Sequence, residues 1–143
     1  MKEQKKNLKS LCSDGGWTLF LDRDGIINEK IEDDYVRKWE QLEFKPGFLE
    51  NIAGLCKLFK YTLIVTNQRC IAKKFITEAE LELIHKKMLG EITKAGGKIS
   101  AIYHCPHNNE DDCACRKPKT GMAIRAKDDF KDIDFSKSLM VGD

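Results

Sequence analysis

Two carboxylates two residues apart, Asp22 and Asp24, follow directly on an apolar run in LFLDRDGIIN (19–28). Desolvating a bare carboxylate is unfavourable, so an acid pair at the end of a buried strand points to a cation held there. If strand geometry persists, both side chains leave on the same side. Two acids that close ionise together only beside a cation; otherwise one keeps a proton. Asp143 ends another apolar run, SLMVGD (138–143), and offers a third oxygen donor. Hard oxygen ligands with space for water suit Mg²⁺. Gly25 lets the backbone turn away tightly. One acid can then attack phosphorus while the other handles protons. Thr66 and Asn67 can hydrogen-bond phosphate oxygens, and Lys117 can neutralise charge on the nucleophile and phosphoryl group. Two competing readings of D-R-D-G are a calcium loop and a plain turn. An EF-hand needs its glycine at the sixth position, not the fourth. A turn stays open, since Asp and Gly favour turns.

A second group of reactive residues lies in HCPHNNEDDCACRKPKTGM (104–122). Cys105 and His107 form C-x-H, and Cys113 and Cys115 form C-x-C. Three thiolates and one imidazole make a closed tetrahedral Zn²⁺ site, which is structural rather than catalytic. His104 is a competing ligand, but its neighbouring position in a strand points it away from Cys105. The alternatives are reduced surface thiols, or one disulfide with spare residues. Zinc in loop 104–116 would place Arg116 and Lys117 beside the acids, supporting the site from behind.

The elements that must carry these groups are legible from periodicity. WTLFL (17–21) is a short β-rich run. FLENIAGLCKLFK (48–60) has apolar residues Phe48, Ile52, Leu55 and Phe59 at three- and four-residue steps, and Pro46 suits a first helical turn. YTLIVTN (61–67) is near-continuously apolar, the mark of a strand buried on both faces. Thr77 and Glu80 fit a capping box. The helix that follows aligns Leu81, Ile84, Met88, Ile92 and Ala95 and ends at Gly96-Gly97. KISAIYH (98–104) is a third strand, residues 119–130 a shorter helix, and SLMV a fourth strand. Alternating strands and helices predict a parallel sheet covered by helices. Ligands bind such sheets at the C-terminal strand ends. Asp22, Thr66, Asn67 and Asp143 should therefore converge on one crevice.

With 143 residues, 41% hydrophobic and 34% charged, the chain suits one domain. A net charge of +2, with bases and acids interspersed, gives no argument for a nucleic-acid or membrane partner. No apolar run approaches the ~20 residues of a membrane span. MKEQKKNLKS lacks the apolar core of a secretory signal, so residues 1–16 are expected to be a flexible tail before a domain over 17–143. Cys12, Cys56 and Cys70 are scattered, and local crowding of the other cysteines with histidine favours metal over a disulfide framework. A cytoplasmic location is expected.

The set Asp22-Arg23-Asp24-Gly25, Thr66-Asn67-Gln68, Lys117 and Gly142-Asp143 resembles the four motifs of the haloacid dehalogenase superfamily of phosphohydrolases, from about residue 17 to the last. The resemblance implies a Rossmann-like three-layer α/β/α parallel sheet without a large cap domain. It implies Asp22 as nucleophile, forming an aspartyl-phosphate, and Asp24 as general acid and base. It assigns Mg²⁺ to the Asp22 carboxylate, the Asp24 backbone carbonyl and Asp143. The cysteine loop is similar to the zinc-loop branch, where heptose bisphosphate and histidinol phosphate are the two dominant substrates. DRDGIIN, DYV, FKPG and RKPKTGM resemble the heptose enzymes. A small phosphorylated sugar is then the expected partner, Arg116 binds it, and the chain is expected to be a monomer. Tyr35 and Val36 either line the site or pack on the sheet.

Three departures from the family pattern stand out. Cys70 stands in T-N-Q-x-G-I where glycine is expected, and Lys74 replaces a frequent glycine. Either is strained if its position needs a positive φ. The sequence also stops at Asp143, inside the fourth motif, where family members continue with another acid, a helix and further strands. The expectation is a domain lacking its C-terminal edge, with the fourth strand open to association. A catalytically silent zinc-stabilised binding module is the alternative to an enzyme.

Overall fold

The computed structural model describes residues 15–142. The tail expected over 1–16 lies outside them apart from Gly15 and Gly16, as does Asp143. Four strands, β1 (Thr18–Leu21), β2 (Tyr61–Asn67), β3 (Ala101–Cys105) and β4 (Ser138–Val141), form one sheet in the order β3-β2-β1-β4. All neighbours are parallel; Leu21 pairs with Ile64 on one side and Val141 on the other, and Asn67 pairs with Cys105. The helices are α1 (Phe48–Cys56), α2 (Glu78–Lys94) and α3 (Gly121–Asp129).

Alternation along the strands sorts the core into two layers. Leu19, Leu21 and Ile64 face Ile52 of α1 and Ile84, Met88 and Ile92 of α2. Phe20, Leu63 and Val65 face Met122 and Ala126 of α3 on the opposite side. This is the expected three-layer α/β/α sandwich. From β1 the chain steps outward to β2 and β3, then returns across the sheet to β4. The strand order reverses between β1 and β4, and a crevice forms at the carboxyl ends there.

Most boundaries fall within a few residues of expectation. The Thr77–Glu80 capping box forms, with each side chain bonding the other's backbone N–H. Bonds from Gly96 N–H to Thr93 O and from Gly97 N–H to Ile92 O close the same helix. Helix α1 stops at Cys56, short of residue 60, yet Phe59 is still buried in the core. Pro46 lies outside α1, whose N-cap is Gly47. Strand β3 starts at Ala101 rather than 98. Among the described residues no helix is long and apolar enough to cross a membrane.

Candidate active site

Strand β1 delivers Asp22 to the crevice, and the Asp22 N–H donates to Val141 O at 2.9 Å, tying it to β4. The next residues curl tightly. The Arg23 carbonyl accepts from the N–H groups of Ile26, Ile27 and Asn28. Gly25 takes a φ of 90°, open to glycine at no steric penalty, and its N–H bonds Asn28 O at 2.8 Å. The turn reading of D-R-D-G is thus correct as geometry, and the turn is what presents both acids.

Asp22 and Asp24 line a groove of about 1020 Å³ with Asn67, Arg116, Lys117 and Gly142. Asp22 Oδ1 accepts from the Arg23 N–H at 2.8 Å and sits 2.9 Å from Lys117 Nζ. Lys117 arrives from the loop after β3, so the pair joins distant parts of the chain. Its backbone is clamped by Asn67: Oδ1 accepts from Lys117 N–H at 3.0 Å and Nδ2 donates to Lys117 O at 3.3 Å. Lys117 Nζ also donates to Val65 O at 3.1 Å. Asn67 therefore uses both ends of its amide on Lys117. Thr66 is 1% exposed, does not line the groove, and accepts from Gln68 Nε2 through its hydroxyl at 3.0 Å. The fourth-motif acid, Asp143, is beyond the described residues.

Asp24 stands in a network that the spacing of the acids does not reveal. Arg23, with no exposed surface, donates to Asp24 from Nε and Nη2 at 2.8–3.1 Å. Asn28 Nδ2 and Gln68 Nε2 donate to the same carboxylate at 2.9 and 3.0 Å. Burial alone would raise the Asp24 pKa, but the Arg23 charge and the three donors outweigh it and hold the carboxyl below its ordinary range. Behind Arg23, Nη1 meets His85 Nε2 of α2 at 3.0 Å. His85 adjoins Ile84 on the apolar face of α2.

The outer wall of the groove is rich in basic groups. Arg69 Nε donates to the Tyr35 hydroxyl at 3.0 Å, and Lys73 Nζ lies 5.5 Å from the Tyr35 ring centre. Arg37 covers the Phe75 ring at 4.1 Å. Tyr35 and Val36 thus both line the groove, Val36 while packing its side chain into the core. Arg69 and Lys73 flank the unusual Cys70. Cys70 is free of the feared strain: it is fully buried against Ile76 and Leu81 and absent from the positive-φ residues. Lys74 does adopt the left-handed region, at φ 61°.

The second cluster converges as its spacing predicts. Ligand atoms of Cys105, His107, Cys113 and Cys115 all lie within 4.8 Å of one another. The sulfurs are not bonded to each other; the Cys105–Cys115 pair is 2.7 Å apart, against ~2.05 Å for a disulfide. Burial and the adjacent Cys115 sulfur push the Cys105 thiol up to about 12. Three thiolates cannot share this space without a cation, and three sulfurs with one imidazole nitrogen are the donor set Zn²⁺ takes. His104 faces elsewhere, its Nε2 2.6 Å from Glu78 Oε2. Arg116 Nη1 donates to His107 O at 3.3 Å, linking the cluster to the groove.

A parallel α/β/α sandwich with an acid-rich groove at its switch point is the haloacid dehalogenase-like phosphatase fold. Residues 17–143 match the family described as Polynucleotide kinase 3 phosphatase, and the chain belongs to that family. A D-glycero-alpha-D-manno-heptose-1,7-bisphosphate 7-phosphatase of Campylobacter jejuni is 46% identical over 129 residues, spanning 87% of this chain and 70% of its own length. The enzyme of that name from Mycobacterium tuberculosis is 34% identical over 127 residues, spanning 89% and 67%. The crystal structure of D,D-heptose 1,7-bisphosphate phosphatase from B. bronchiseptica, complexed with magnesium and phosphate, superposes with a TM-score of 0.81 at 35% identity, covering 89% of this chain and 70% of that one.

Proposed function

We propose that this protein is a Mg²⁺-dependent phosphatase that removes the C7 phosphate of a heptose 1,7-bisphosphate through an aspartyl-phosphate on Asp22. The observation that carries the reading is the Asp22–Lys117 contact at the strand-order reversal, 2.9 Å across a groove large enough for a phosphorylated sugar. The similarity to heptose bisphosphate phosphatases supports the substrate. Basic groups along the outer wall, among them Arg69, Lys73 and Arg116, suit a ligand with a second phosphate.

Asp22, the Asp24 backbone carbonyl and Asp143 would hold Mg²⁺, which supplies charge neutralisation at the phosphoryl oxygens. Both side-chain contacts described for Asp22 fall on Oδ1, so Oδ2 is left for other work. In the first half-reaction an Asp22 oxygen bonds phosphorus as the bond to the sugar oxygen breaks. Asp24 gives that oxygen its proton. In the second, Asp24 takes a proton from water, water oxygen bonds phosphorus, and the Asp22–phosphorus bond breaks to release phosphate. Lys117 offsets the negative charge throughout.

Asp24 is held ionised by its donors in the unliganded groove. A phosphate dianion arriving beside it raises its pKa by like-charge repulsion, so substrate binding itself favours the protonated acid. Cys105, His107, Cys113 and Cys115 would hold Zn²⁺ as a fold-stabilising ion that steadies Arg116 and Lys117. The test is phosphate release from heptose 1,7-bisphosphate with Mg²⁺, by the wild type and Asp22→Asn. Turnover by the wild type and none by the variant is expected; wild-type rates in Asp22→Asn refute the nucleophile.

A further inference from the structure

Arg23 is a buried cation whose donors are divided between two partners. Nε and Nη2 go to Asp24, and Nη1 goes to His85 Nε2 at 3.0 Å. Guanidinium has only donors, so His85 Nε2 must offer its lone pair and the ring proton must sit on Nδ1. His85 is 5% exposed and occupies the face of α2 that otherwise carries Leu81, Ile84 and Met88. An aliphatic side chain would fill that space without losing hydration. It would also leave a buried guanidinium N–H without an acceptor.

The groups facing His85 are Arg23, with Asp24 beyond it, and the His104 ring at 6.3 Å, itself engaged with Glu78. The described contact that takes up Arg23 Nη1 is thus the imidazole. Three of its fork positions are fixed: two by Asp24 and one by a rigid helix on the far side of the guanidinium. Rotation of the fork would carry the Asp24 carboxylate with it. Asn28 and Gln68 also hold Asp24, but both belong to the loops at the groove. His85 is the anchor supplied by a helix of the core.

We infer that His85 is a positioning residue: its unprotonated Nε2 fixes the Arg23 fork, and the fork sets the direction of the Asp24 carboxylate. The inference rests on the reading of Asp24 as acid and base. Because Asp24 acts in the chemical step, loss of its orientation falls on kcat rather than on KM.

The test uses the full-length protein, steady-state phosphate release from heptose 1,7-bisphosphate with Mg²⁺, and two variants. His85→Leu removes the acceptor; His85→Gln places an amide oxygen near the former Nε2. His85→Leu should lose about tenfold or more in kcat with KM changed less than about twofold, and His85→Gln should recover most of the loss. Equal kcat in both variants, or wild-type kcat in His85→Leu, overturns the inference. Asp24→Asn runs alongside: if it keeps wild-type turnover, the acid–base reading fails on its own account, whatever His85 does. A measurement without substitution covers the case in which His85→Leu does not fold. Imidazole ¹⁵N NMR of the wild type should find the His85 proton on Nδ1, and a proton on Nε2 at neutral pH overturns the inference.

Discussion

Gly121 opens α3 where that helix meets the cysteine loop, and its replacement by alanine is a sharp probe of how the loop serves the groove. A Cβ there would lie 2.3 Å from Ala114 O, 2.7 Å from Ala114 C and 2.8 Å from Cys115 Cα. All three are backbone atoms, so no side chain can swing aside. Ordinary van der Waals contact begins at about 3.4 Å, so the loop and α3 must part by about 1 Å. The Gly121 N–H bond to Ala114 O, 3.0 Å, stretches with them. Strain of this kind amounts to about 1–3 kcal/mol of stability. Cys115 is two residues before Lys117, and a misplacement of about 1 Å near reacting groups lowers turnover ~100-fold. Gly121→Ala should therefore retain zinc, lose kcat by about that factor, and unfold at lower urea. Gly54→Ala is the control, since a Cβ at Gly54 meets nothing within 4 Å; it should keep wild-type kcat and be equally or more stable. Phosphate-release kinetics, urea denaturation and zinc stoichiometry read all three. A Gly121→Ala protein with kcat within twofold of wild type and an unchanged midpoint refutes the argument that the loop's seating on α3 governs Lys117.

Three further outcomes follow from the same geometry. Lys117→Met, removing the cation beside Asp22, should lower kcat about 10²- to 10³-fold in the phosphate-release assay; a change below threefold would show that the charge is supplied elsewhere. Acid should destabilise the fold in two successive windows. Burial and the Arg23 charge bring the His85 pKa down from 6.5 to about 3, so below pH 6.5 the unfolded chain binds a proton that the native state refuses, and stability declines by up to ~1.4 kcal/mol per pH unit. The depressed Asp24 carboxyl contributes stability above the ordinary carboxylate range and loses it as pH falls through its lower folded value. Urea midpoints at pH 7, 6 and 5 should fall in the wild type and stay flatter in His85→Gln. Finally, a zinc chelator should lower both thermal midpoint and activity, with recovery on adding Zn²⁺ but not on adding Mg²⁺ alone.

Much of the fold was open to reading because its signals are local. YTLIVTN has an apolar centre since β2 is covered on both faces, and the Thr77–Glu80 box marks its helix start to the residue. Cys105, His107, Cys113 and Cys115 stand within eleven positions, so spacing alone brings them together. The burial of Thr66 is less local: Gln68, two positions on, folds back to donate to its hydroxyl. Asn67 lines the groove as its strand-end position implies, but its amide also holds the backbone of Lys117, fifty positions away, and no local pattern announces such a partner. The Arg23–His85 contact joins β1 to α2 across 62 positions, a pairing only the tertiary fold creates. Of the two positions where glycine is usual in the family pattern, Lys74 takes a positive φ and Cys70 does not, a division the sequence pattern does not make.

Strand β4 is the outermost strand of the described sheet on its side, held by β1 alone, with Met140 and Val141 49% and 41% exposed. Its last carbonyl is also the one that anchors the Asp22 amide. The β1–β4 seam thus ends at the residue proposed to carry the phosphoryl group. Separating that pair would free the Asp22 amide while the β1–β2–β3 pairing stayed intact, so local opening there is expected to cost the reaction before it costs the fold.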